Sequence, residues 1–105
     1  MTLNDFHAGL KKACPATYEL AAPKDHPRRY VVWHRYGRSS TYGDDRNQID
    51  TPKVQIDIFS NDYADLLVDD ICAALWLMGQ SYSVVSEGYD DEYAAYRTIL
   101  QLVVV

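Results

Sequence analysis

The sequence predicts a small α+β domain: an antiparallel sheet of about four strands with two helices packed on one face, in the order α-β-β-α-β-β. Three observations carry this reading. Lys53–Phe59 (KVQIDIF) alternates strictly, with Val54, Ile56 and Ile58 on one face and Lys53, Gln55 and Asp57 on the other. Tyr30–Tyr36 (YVVWHRY) is dense in aromatic and β-branched residues, which favour a pleated surface. Between them and the C-terminus, apolar residues recur at helical spacing up to Met78, and Gly79 supplies a stop. A length of 105 residues fits a single domain, 1–105, able to bury its own core.

The elements follow in order. Residues 2–14 read as a helix, because Thr2 and Asp5 have capping-box spacing, with Asp5 in place of the usual Glu. Leu3, Phe6, Leu10 and Ala13 form its apolar stripe, and Pro15 closes it. Residues 15–29 hold Pro15, Pro23 and Pro27 and read as a connector. After the Tyr30–Tyr36 strand, residues 37–52 (GRSSTYGDDRNQIDTP) are rich in turn-formers and read as a long hairpin loop. The Lys53–Phe59 strand comes next. Ser60 to Asp62 offer several N-caps for a second helix running to about Met78. Its expected core stripe is Tyr63, Leu66, Leu67, Ile71, Ala74, Leu75 and Met78. Two strands complete the chain, about Ser81–Glu87 and Ala95–Val104, joined by a loop with Gly88, Asp90, Asp91 and Glu92. No repeat or low-complexity tract interrupts this order.

Composition narrows the function. The net charge of -5 argues against a nucleic-acid-binding surface, which is normally a basic patch, and against docking on anionic membrane. The apolar-rich stretch Ile71–Met78 is far too short to span a bilayer, and the first residues lack the apolar run of a secretory signal. A soluble, cytoplasmic protein is expected, with Cys14 and Cys72 as buried free thiols, a disulfide between them being the alternative.

Motifs for chemistry are missing. His7, His26 and His34 have no metal-ligand spacing. Asp44, Asp45 and Asp50 do not match an EF-hand loop, which needs a central glycine and a terminal glutamate. No GxSxG, Walker A or GxGxxG occurs. Cys72 lies within a helix and Cys14 precedes a proline, so neither suits a Cys–His dyad. The reading is a protein with no catalytic, cofactor or metal site, and not an enzyme.

One residue resists an ordinary structural explanation. On a wheel at about 100° per residue, Trp76 falls beside Asp65, Asp69 and Cys72, opposite the core stripe. A tryptophan there either covers a loop of its own chain or anchors a subunit interface, where Trp is enriched. The tyrosines at 30, 36, 42, 63, 82, 89, 93 and 96 also suit half-buried and interfacial positions. The run Leu102, Val103, Val104 adds an apolar surface that is a liability if exposed and an interface if paired.

Beyond these patterns, TPKVQIDIFSNDYADLLVDDICAAL and the later YDDEYAAYRTILQLVVV resemble the tail completion (tail terminator, head-tail joining) proteins of siphophages and prophages. The matching positions are Val54–Ser60, Tyr63–Leu75 and Tyr96–Arg97, and Tyr30–Gly37 fits the family's first strand. The resemblance spans about residues 28–105. It implies a structural protein that forms a ring, usually a hexamer, at the head-proximal end of the tail tube. Such a ring stops tube growth and joins the head-side connector, so its partners are itself and the tail tube and connector proteins. The implied location is the bacterial host cytoplasm during assembly and then the virion tail. Each subunit of such a ring needs two different adhesive patches. Trp76 with Asp65 and Asp69, and the Leu102–Val104 strand, are candidates. The loop residues Tyr42, Asp44, Asp45 and Arg46 are candidates for reaching a neighbouring ring or the tube. The residues alone also admit another small protein-binding or regulatory module, or a small ligand-binding domain.

Overall fold

The computed structural model describes the backbone of residues 1–42 and 48–105, and the side chains outside 39–50. Its first helix, α1 (Leu3–Ala13), begins on the expected capping box. The Thr2 hydroxyl accepts from the Asp5 N–H at 3.1 Å, and the Thr2 N–H donates to the Asp5 carboxylate at 3.4 Å. Phe6 and Leu10 are its buried residues.

The connector contains a strand that no periodicity announced. β1 (Thr17–Glu19) pairs in parallel with β2 (Tyr30–Tyr42), Thr17 opposite Val31 and Glu19 opposite Trp33. The chain then leaves the sheet at Leu20, whose φ of 72° lies in the left-handed region. β2 pairs antiparallel with β3 (Gln48–Ser60) from Tyr30↔Phe59 out to Tyr42↔Gln48, with a register shift between Arg35 and Gly37. Much of the expected 37–52 loop is therefore strand. Beyond the Lys53↔Val103 pair the Val104 N–H still reaches the Pro52 carbonyl at 3.0 Å, and past it residues 38–42 and 48–51 pair as a two-stranded arm.

The second helix, α2, runs Leu67–Leu77 rather than from Asp62. Side chains of 60–66 are spent on turns instead. Ser60 Oγ donates to the Asp62 carbonyl, Asp62 Oδ1 accepts from the Ala64 N–H, and Asp65 Oδ1 accepts from the Leu67 N–H, each at 2.9 Å. This removes Tyr63 and Leu66 from the expected core stripe: both are exposed, while Leu67, Ile71 and Leu75 are fully buried. The helix ends as expected at Gly79 (φ 72°), where the Gln80 N–H reaches back to the Leu75 carbonyl at 2.9 Å.

β4 (Tyr82–Asp90) and β5 (Ala95–Val103) close the sheet, whose order is β1-β2-β3-β5-β4. It is thus a five-stranded mixed sheet in an α-β-β-β-α-β-β chain, not a purely antiparallel one of about four strands. Both helices cover one face, as expected. Phe6, Leu10, Leu67, Ile71 and Leu75 meet Val31, Trp33, Val54, Ile56, Ile58, Leu100 and Leu102 there. A smaller cluster of Tyr30, Val32, Phe59 and Ala95 lies on the other face, partly covered by Tyr18 and Ala22. No helix among the described residues is long and apolar enough to cross a membrane.

Candidate assembly interface

β4 is the last strand of the sheet, and every residue from Tyr82 to Tyr89 is exposed. Val84 and Val85 each keep 53% of their surface in solvent. Their exposure has a positional cause. α2 packs on β3 and shares its core with Leu100 and Leu102 of β5, so most of β4 extends past the helix layer. A groove of about 510 Å³ opens between the start of α2 and the β4–β5 pair, lined among others by Tyr63, Asp69, Glu87 and Tyr96. Tyr63 and Tyr89 both pack edge-on against Tyr96, with centroids at 5.7 and 5.2 Å.

Trp76 projects beside this overhang. Cys72, one turn earlier on α2, meets the Tyr82 hydroxyl, a contact that raises the Tyr82 pKa above the ordinary phenol value. Trp76 is four residues further along the same stripe and is 78% exposed, so no described loop of its own chain covers it. Leu77 beside it is equally exposed. Large apolar side chains at consecutive exposed positions of one helix are a feature of contact surfaces.

The other expected positions divide. Asp69 is exposed in the first turn of α2, on the same stripe as Trp76 and about two turns before it. Asp65 is not on that helix face. It precedes α2, where the Arg29 guanidinium grips it through two hydrogen bonds of 2.9 Å. That hydrogen bonding holds the Asp65 carboxyl below the usual carboxylate range. The Leu102–Val104 run is not an apolar surface either. Leu102 and Val104 are buried in the main core and Val103 is half-buried, because β5 sits between β3 and β4 beneath the helices. Buried Gln80 holds the following residue, its amide exchanging hydrogen bonds of 3.0 Å with both backbone groups of Val105. The Tyr42 side chain and all of Asp44, Asp45 and Arg46 lie outside the described residues.

Arg97 organises the open face, a role its place in the sequence did not reveal. It donates to Asp57 and Asp90 at 3.0 Å each, and lies over the Phe59 and Tyr93 rings at 5.5 and 5.0 Å. The hydrogen bond from Arg97 also holds the Asp90 carboxyl below the usual carboxylate range. A shallow cleft of about 480 Å³ over this cluster is bordered by His26, Tyr30, His34 and Gln55. His7 is on the other face, bonded to Trp33. Cys14 and Cys72 are both free.

Comparison with known proteins finds no family model that matches the chain and no matching curated relative.

Proposed function

We propose that this chain is a structural subunit of a phage or prophage tail, a tail completion or tail terminator protein that closes into a ring, usually a hexamer, and joins the tail tube to the head-side connector. The observation that carries the assembly half of this reading is Trp76, exposed on α2 beside a strand edge that no other strand or helix covers among the described residues. Its apolar surface in water is costly alone and favourable when buried against another chain. The tail half rests on the residues that resemble the family: Val54–Ser60 along β3, Tyr63–Leu75 leading into and through most of α2, and Tyr96–Arg97 at the start of β5. In this reading the partners are further copies, the tail tube and the connector, with no direct reading of nucleic acid. The host cytoplasm and then the virion tail are its places of work.

The test is electron microscopy and native mass spectrometry of the purified chain. Closed rings, with six copies as the leading expectation, support the reading. A stable dimer with a small molecule held in the cleft by Arg97 contradicts it and favours a ligand-binding domain.

A further inference from the structure

We propose that the sheet continues from one copy of this chain into the next, with β4 pairing antiparallel to the uncovered part of β2 of its neighbour. This rests on the self-assembly reading above and specifies the contact. The sheet has an open edge on each side. Among the described residues β4 has no outer neighbour, and β1 covers β2 only at Val31–Trp33, the last backbone bond being Leu20 N–H to the Trp33 carbonyl at 2.9 Å. From His34 onward β2 has no outer strand among the described residues.

Strand direction fits. The pairs β2/β3, β3/β5 and β5/β4 are all antiparallel, so β4 runs opposite to β2. A second copy in the same orientation therefore presents β2 antiparallel to β4, which continues the ladder. β4 carries neither lysine nor proline, the residues that usually blunt an edge; its bulge between Val84 and Ser86 is the one irregularity.

Charge fits as well. On the helix side, the β4 flank carries Glu87, opposite Thr98, and Asp69 of α2. The β2 flank carries Arg35, opposite Val54 on the same side, and Lys11, one turn beyond His7 on α1. Glu87, Asp69, Arg35 and Lys11 are all exposed. Glu87 and Asp69 thus face Arg35 and Lys11 across the joint, on the face that would be continuous, while the acidic Glu19 of β1, opposite Trp33 on that side, lies beyond the stretch of β2 that would pair. Setting Glu87 opposite Arg35 of the next copy puts Tyr82 opposite its Ser40 and Gly88 opposite its His34, which stops short of the next copy's β1. The neighbour's α1 side then faces the overhang where Trp76 and Tyr82 stand. Such a contact joins two different patches, and repetition closes a ring or runs on as a filament.

Sedimentation of charge-reversed variants tests this. Arg35→Glu alone and Glu87→Lys alone are expected to lose self-association while keeping the wild-type melting temperature, because both side chains are exposed. A 1:1 mixture of the two is expected to regain it, since alternating copies then face opposite charges at every joint. The double variant R35E/E87K is expected to regain it too. If the wild type assembles and the single variants assemble equally well, or the mixture stays dissociated, the edge pairing is overturned while the assembly reading stands. A wild type that remains monomeric at its highest soluble concentration overturns both.

Discussion

The indole Nε1–H of Trp33 donates to Nδ1 of His7 at 2.9 Å, and it is the link that closes the helix layer onto β2. Trp33 is 1% exposed and also meets Phe6 edge-on at 5.5 Å. The largest side chain of the core thus depends on one half-buried histidine for its polar atom. His7→Ala leaves that donor without a partner and is expected to cost about 1–3 kcal/mol of stability. Urea unfolding of the variant measures it. An unchanged midpoint would show that water replaces His7 at no cost.

A second prediction concerns acid. Asp65 and Asp90 both have folded-state pKa values below the ordinary carboxylate range, through Arg29 and Arg97. A depressed carboxylate stabilises the fold above its unfolded pKa, and that contribution is lost as pH falls through the folded value. Stability is therefore expected to decline from about pH 4 downward, where ordinary carboxylates titrate. Arg29 is half exposed, so its pair with Asp65 contributes no more than about 1 kcal/mol. Asp65→Asn is expected to lower stability slightly at neutral pH and to flatten the acid limb. Urea midpoints measured across pH check both; an Asp65→Asn curve parallel to wild type would refute the assignment.

The β2–β3 arm yields a third. Past Pro52, whose carbonyl accepts from the Val104 N–H at 3.0 Å, residues 38–42 and 48–51 pair with each other, beyond Val54, the last residue that β3 gives to the core at that end. Replacing residues 40–50 by a short turn is expected to leave unfolding cooperative, because shortening a hairpin changes closure entropy little. Loss of a single cooperative transition would mean that the arm is part of the folding unit.

These tests bear on what the residues made legible. Alternation exposed the Val54–Ile58 core face of β3, and helical spacing exposed Leu67, Ile71 and Leu75, because burial on one face leaves a period in the sequence. β1 has three residues, too few for any period, and is held by a long-range register with Val31. The arm read as a loop because its residues carry no apolar alternation and many turn-formers. The N-cap signal at Ser60–Asp62 was real chemistry spent on turns, which moved Asp65 off the helix and into the grip of Arg29. Leu102 and Val104 looked like surface from their place at the end of the sequence, but β5 is an interior strand. Trp76 was placed outward correctly, since α2 is regular across Cys72 and Trp76. The Cys72–Tyr82 contact and the Arg97 cluster join residues distant in sequence and left no local pattern.

The claim that the outer side of α2 is a contact surface rests most directly on Trp76. Trp76→Ala should be followed by two measurements on the same sample, sedimentation for self-association and urea unfolding for stability. The account predicts that self-association weakens while stability stays within about 0.5 kcal/mol of wild type, as for exposed substitutions. A loss of about 3 kcal/mol or more, as for a buried tryptophan, with self-association unchanged would contradict it.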